Sequence, residues 1–276
     1  MHFKPWLAGL YFVVCMPLTA AAEELPRTPS GKPDLNGFWQ VLNRANFDIE
    51  AHSARASLQV EEGPLGRPVP IKPLVPLGAV GAVPGGAGVV VGGPLPYKPQ
   101  ALQQKQENQA DWLNRDPEIK CYLPGIPRAT YMPFPFQIVH NDAALFFNYE
   151  YAGAARNIYL EDPGEAPVDS WMGQSYGYWE GDTLVIEVTG QLDRTWFDRA
   201  GNHHSAYMKV IERYTPTSAH TLRYDVRIED EVTFTRPWEM SMTLYRRVGR
   251  DAQLHQFKCV EFVEELLYGE LRKQAD

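Results

Sequence analysis

The sequence predicts a mainly β fold, an antiparallel meander of short strands closed as a barrel, with a two-sheet sandwich as the alternative. Three observations point there. From Phe136 to Val260 the chain is a succession of runs rich in β-branched and aromatic residues, separated by turn signals and without intervening helices. Tyr176, Tyr178 and Trp179 lead into Glu180-Gly181-Asp182 and then Leu184, Val185, Ile186 and Val188, which is a hairpin signature. Glycine and proline crowd residues 63–99, which cannot make a rigid core element, and proline recurs from Cys121 to Phe136, where it forbids helix and favours an extended, edge-like path.

Residues 1–22 carry Lys4, an apolar run from Leu7 to Leu18 and Ala20-Ala21-Ala22, and read as a secretory signal peptide. The apolar run is too short to span a bilayer comfortably, and no later segment is long and uncharged enough to do so. Residues 23–34, with Pro26, Pro29 and Pro33, form an extended lead-in to a single β-rich domain over 35–276. Leu35 to Val41 alternates as a first strand. The Gly/Pro-rich stretch 63–99 is expected to be a mobile surface loop or flap, because glycine raises the entropic cost of order and proline removes ladder donors. Leu102, Gln106, Ala110 and Leu113 recur at helical spacing and predict one internal helix over 99–115.

The strands that follow are expected at Gln137–His140, Ala144–Tyr151, Arg156–Leu160, Ser175–Glu180, Thr183–Val188, Ala206–Tyr214, Thr221–Glu229, Trp238–Arg247 and Leu254–Val260. Phe262, Leu266 and Leu267 predict a short C-terminal helix within Glu261–Lys273.

Acidic residues outnumber basic ones by 34 to 26, and nothing forms a basic stripe, which argues against a nucleic-acid partner. Removing residues 1–22 leaves two cysteines, Cys121 and Cys259, in an oxidising compartment where they are expected to pair. The expected location is periplasmic or secreted, with no membrane insertion after cleavage.

Gly173, Ser175 and Gly177 spell the G-x-S-x-G of a hydrolase nucleophile elbow. That elbow needs a helix directly after the serine, and here a second β run follows, so Ser175 reads as a small residue in a strand.

Gly37-Phe38-Trp39 opens the first strand as G-x-W, as in lipocalin-like barrels. Together with P-D-L-x-G-x-W, C-x-x-P-G-x-P-R, M-G-x-S-x-G-x-W-E-G-D-T-L-V and T-W-x-D-x-x-G-x-x-H-S, it resembles a large group of secreted bacterial proteins of uncharacterised function. The resemblance covers most of the chain after residue 22 and implies a lipocalin-like barrel without an assigned activity. Gln174 and Tyr178 stand where similar proteins often carry histidine, and Val260 and Val263 where they often carry histidine and asparagine. Any polar or metal site built from those residues in relatives is therefore incomplete here.

Two groups of residues carry candidate chemistry. His204, with Asp198 and Glu212 as carboxylate partners, forms a candidate general acid/base set, since histidine titrates near neutrality. Of the adjacent His203 and His204, strand alternation lets only one face inward, and His204 is the one expected. Arg156, Tyr159 and Arg128, with the aromatic residues Trp179 and Trp196, are candidate ligand-binding residues, because an arginine aimed into a barrel can hold an oxyanion in a bidentate fork. The commoner fate of such an arginine is an ion pair with an acidic neighbour. No spacing recommends a metal site, and no cofactor is expected.

The sequence thus leads to binding of a small apolar or amphipathic molecule in an aromatic-lined barrel cavity. The alternatives are a lyase, isomerase or hydrolase on the same scaffold, and a structural envelope protein. Oligomeric state is not legible in the sequence.

Overall fold

The computed structural model describes residues 25–54, 60–62, 65–66, 68–70 and 84–260. The expected signal peptide, the expected C-terminal helix and part of the Gly/Pro-rich stretch lie outside the described residues.

Nine strands close the barrel. They are β1 (Gly37–Val41), β5 (Phe136–His140), β6 (Leu145–Tyr149), β7 (Ala155–Tyr159), β8 (Gln174–Glu180), β9 (Thr183–Thr189), β10 (Lys209–Ser218), β11 (Thr221–Glu229) and β12 (Trp238–Arg246). They neighbour one another in that order, and β1 closes the ring by pairing with β12, Trp39 opposite Arg246. Three shorter strands lie just before and within the Gly/Pro-rich region. β2 (Val60–Glu62) pairs with β3 (Pro68–Pro70), and β4 (Val90–Val91) adds to the edge of β12 beside Glu239 and Met240.

Every neighbouring pair in the barrel is antiparallel except β7–β8, which is parallel over only two residue pairs, Ile158 with Ser175 and Tyr159 with Tyr176. A parallel pair needs a crossover, supplied by residues 160–173. The mainly β barrel is thus as the sequence predicts, with one seam that pattern alone does not reveal.

Alternation fills the barrel. Phe136 and Ile138, Leu145, Phe147 and Tyr149, and Tyr224, Val226 and Ile228 are all buried, while Val139 and Phe146 face outward. Their rings meet directly, Phe147 against Tyr214 at 5.3 Å and Tyr214 against Tyr224 at 4.8 Å between centroids.

Several expectations are corrected. The helix over 99–115 breaks at Asp111 into α1 (Pro99–Ala110) and α2 (Trp112–Arg115). It is not docked by an apolar stripe: Leu102 is exposed, and the buried residue of α1 is Asn108, which donates to the Gly201 carbonyl at 3.3 Å. Gly201, at φ +85°, permits this approach, since a Cβ there would lie 2.8 Å from α1 backbone atoms. The proline-rich path from Cys121 to Phe136 is not wholly extended. α3 (Arg128–Tyr131) makes one helical turn in the gap between the proline runs.

Leu254–Val260 is not a strand, so the barrel ends with β12 and Cys259 belongs to an irregular tail. Cys121 and Cys259 do come to disulfide distance, with Cα atoms 5.7 Å apart across 138 residues. The tail they fix packs Phe257 against Tyr151 and Phe134, at 4.9 and 5.0 Å. The last part of the Gly/Pro-rich stretch is anchored, because β4 joins the sheet and Tyr97 bridges to Phe234.

Candidate functional site

Arg156 on β7 points into the barrel, and its surroundings are almost wholly dry. It is 3% exposed; its Nε donates to Ser175 Oγ at 2.7 Å, and its Nη2 donates to Glu212 on β10. The other carboxylate oxygen of Glu212 accepts from the Tyr214 and Tyr224 hydroxyls at 2.8 and 2.7 Å. Thr130 from α3 sits 3.4 Å from the Tyr149 and Tyr214 hydroxyls. Burial alone lowers the arginine pKa, but the Glu212 charge outweighs it and raises it further. The same low-polarity surroundings push Tyr214 and Tyr224 well above the usual phenol range. One group is left over: Nη1 of Arg156 finds no hydrogen-bond partner.

This assembly backs onto the parallel seam. Because β7 and β8 pair over two residues only, a cleft of about 330 Å³ opens where they separate. Arg156 and Ser175 lie at its base, Asn157, Tyr159 and Gln174 at its sides, and Pro167, Val168 and Met172 contribute its apolar wall. Gln174 holds the crossover in place by donating from Nε2 to the Gly164 carbonyl at 2.8 Å. Tyr159 and Val168, two of its lining residues, stay 47% and 69% exposed.

Of the candidate ligand-binding residues, the fold brings together Arg156 and Tyr159. Arg128 belongs to a separate ion cluster at the barrel end, where it donates to Asn46, Asp116 and Glu118 at 2.9, 3.2 and 2.7 Å. Arg199 joins this cluster through two bonds to Glu118, at 2.7 and 2.8 Å. Burial would raise the Glu118 pKa, but Arg199 and Arg128 outweigh it and hold it at about 2. Trp179 lies near Lys32 and His140, and Trp196 pairs with His203; neither lines the seam cleft.

The candidate acid/base residues are not assembled into one set. His204 is buried, as expected, but its ring bonds Thr195 Oγ1 at 2.7 Å through Nε2 and the Ser205 carbonyl at 2.8 Å through Nδ1. A carbonyl can only accept, so Nδ1 carries the proton and Nε2 accepts from the threonine. Burial lowers the His204 pKa, which keeps the ring neutral. Asp198 accepts from the amides of Ile49, Ala200 and Asn202 and from the Asn202 side chain, at 2.7–3.2 Å. Burial and the neighbouring Asp48 push it up to about 7, yet four donors leave no lone pair convenient for a proton. Glu212 is committed to Arg156 and two tyrosines. His203 is half-buried, stacked on Tyr97 at 5.6 Å, and burial lowers it to about 4.

Sequence reasoning missed the partnership of Ser175 and Glu212 with Arg156, and the contribution of the crossover residues Pro167, Val168 and Met172. The position of Arg156 at an inward step of a predicted strand, four residues before Leu160, was the available signal. Its partner on β10 lies 56 residues away and carries none. Among the described residues no group of three or more His, Cys, Asp or Glu is arranged to hold a metal, and no helix is long and apolar enough to cross a membrane.

Comparison with family models, with curated proteins and with solved structures finds no match to this chain.

Proposed function

We propose that this is a binding protein for a small amphipathic molecule, held in the cleft at the β7–β8 seam. The observation that carries the reading is the cleft itself, which joins the exposed ring of Tyr159 and the apolar surface of Val168, Pro167 and Met172 to a few amide and hydroxyl side chains. The lining is divided about evenly between apolar groups and amide, hydroxyl and guanidinium groups, a mixture that suits a molecule with both an apolar and a polar part. The buried Arg156–Glu212 assembly behind the cleft acts as a rigid base, because each of its bonded groups fixes another. Export belongs to the same reading: a Cys121–Cys259 disulfide persists in oxidising compartments such as the periplasm.

Catalysis is the weaker reading, since His204, Asp198 and Glu212 each spend their hydrogen bonds in a different place.

Native mass spectrometry of protein isolated from its own source tests the proposal. A retained small molecule is expected, and Val168→Trp, which fills the mouth of the cleft at an exposed position, is expected to abolish its retention. Retention unchanged by Val168→Trp would overturn the assignment to this cleft.

A further inference from the structure

We infer that the ligand of the seam cleft presents an uncharged hydrogen-bond acceptor, a carbonyl of ketone, ester or amide type, to the base of the cleft; the inference rests on the binding reading above. Two residues at that base keep donors that nothing accepts. Arg156, 3% exposed, lines the cleft and spends Nε on Ser175 and Nη2 on Glu212, which leaves Nη1 without a partner. Ser175, 1% exposed, lines the cleft beside it, and its Oγ receives the Nε bond. A hydroxyl that accepts still has its own proton to give, and among the described residues no acceptor takes it.

Buried polar groups are ordinarily bonded, so two unspent donors on neighbouring buried residues suit an acceptor brought in by a ligand. A carbonyl oxygen accepts and donates nothing, which matches a base whose unspent groups are donors. The rest of such a molecule, an apolar chain, then has Tyr159, Pro167, Val168 and Met172 to lie against.

The lining also decides the charge. Arg156 is the sole Asp, Glu, Lys, Arg or His among the residues that line the cleft, and Glu212 already neutralises it inside the barrel. A carboxylate held here would set a second buried anion on a cation that has one, and with Nε and Nη2 taken the guanidinium has lost much of its two-pronged grip. An ammonium would bring donors to donors and a positive charge to a guanidinium. An uncharged carbonyl does neither and leaves the Arg156–Glu212 pair intact.

Matched probes test this: 2-octanone, octanoate and octylammonium carry similar apolar chains and differ in the head group. Calorimetric titration is expected to give 2-octanone at least about tenfold tighter binding than either ion, because burying an unpaired charge costs more than burying a bonded carbonyl. Infrared spectroscopy reads the contact itself. The carbonyl stretch of 2-octanone bound to the wild type is expected below its frequency in hydrocarbon, as a donor on the oxygen requires, and is expected to move back towards that frequency in Ser175→Ala or in Arg156→Met/Glu212→Leu. A hydrocarbon-like stretch in the wild type, or one that neither variant moves, would overturn the inference. So would octanoate or octylammonium binding as tightly as 2-octanone, while blockage of that binding by Val168→Trp would leave the cleft as the binding site. Failure of all three probes to bind, or binding indifferent to Val168→Trp, would overturn the binding reading itself and the inference with it.

Discussion

The guanidinium carbon of Arg246, on the last barrel strand, lies 4.3 Å from the centre of the Trp39 ring, on the first. Strand register makes the two residues direct partners, so the contact sits on the closure of the barrel. Arg246 also donates to the carbonyls of Asp34, Asn36 and Ala219, tying the lead-in and the β10–β11 turn to the same point. Gly37 leaves room for it, since a Cβ there would lie 2.6 Å from Arg246 Nη1.

Arg246→Ala is therefore expected to destabilise the protein by about 2–3 kcal/mol, combining a lost cation–π contact with three carbonyls stripped of a charged donor. Denaturant unfolding followed by tryptophan fluorescence measures it. A change below about 0.5 kcal/mol, the range of ordinary surface substitutions, would show that closure does not depend on this contact.

Arg156→Met should be more damaging, about 3–5 kcal/mol, because it leaves the Glu212 carboxylate buried without its cation. The double variant Arg156→Met/Glu212→Leu should cost clearly less than the sum of the two single changes, since neither charge is then stranded. A double-mutant cycle that gives simple additivity would contradict the coupling described for the barrel interior.

Two groups with lowered pKa values, His203 and Glu118, each lose stabilising effect in acid. The His203 pKa falls from 6.5 to about 4 on folding, so its own contribution is full above pH 6.5 and declines as pH falls towards 4. It is read as the difference between wild type and His203→Gln, because Asp198, raised from 3.8 to about 7, acts in the opposite direction over nearly the same range. Glu118 falls from 4.5 to about 2, so its stabilisation is present above 4.5 and lost as pH falls through 2. Each is worth on the order of 3 kcal/mol at full effect. His203→Gln should remove the His203 contribution between pH 6.5 and 4 and leave that of Glu118 in place. Thermal melts of both proteins read the difference, and its absence over that range would show that His203 contributes nothing there.

Alkylation under denaturing conditions without reductant should modify no thiol of Cys121 or Cys259. Reduction should release two and lower stability by about 5 kcal/mol on the chain-entropy account of a loop of this length. Labelling of both residues before reduction would show that they are unpaired.

Much of this fold is written locally. Alternation of apolar and polar side chains, with glycine and aspartate at turns, marks β5 to β12 to within a few residues, because a barrel strand buries every second side chain. The helix over 99–115 was legible in extent but not in the way it docks, since its contact is made by Asn108 against a glycine backbone far away in the chain. Arg156 and Tyr159 were legible as a pair because they share one short strand. The crossover residues beside them were not, because a loop carries no periodic signal.

What the sequence by itself determined is the β class, the inward steps of each strand and the pairing of the two cysteines. Only the tertiary structure decided that β7 and β8 run parallel, that a cleft opens beneath their short register, and that Glu212 serves Arg156 and not His204. The reason is physical. Strand periodicity is set by nearest neighbours along the chain, whereas strand order and the choice of a charge partner depend on closing the ring, which brings together residues that no local pattern connects.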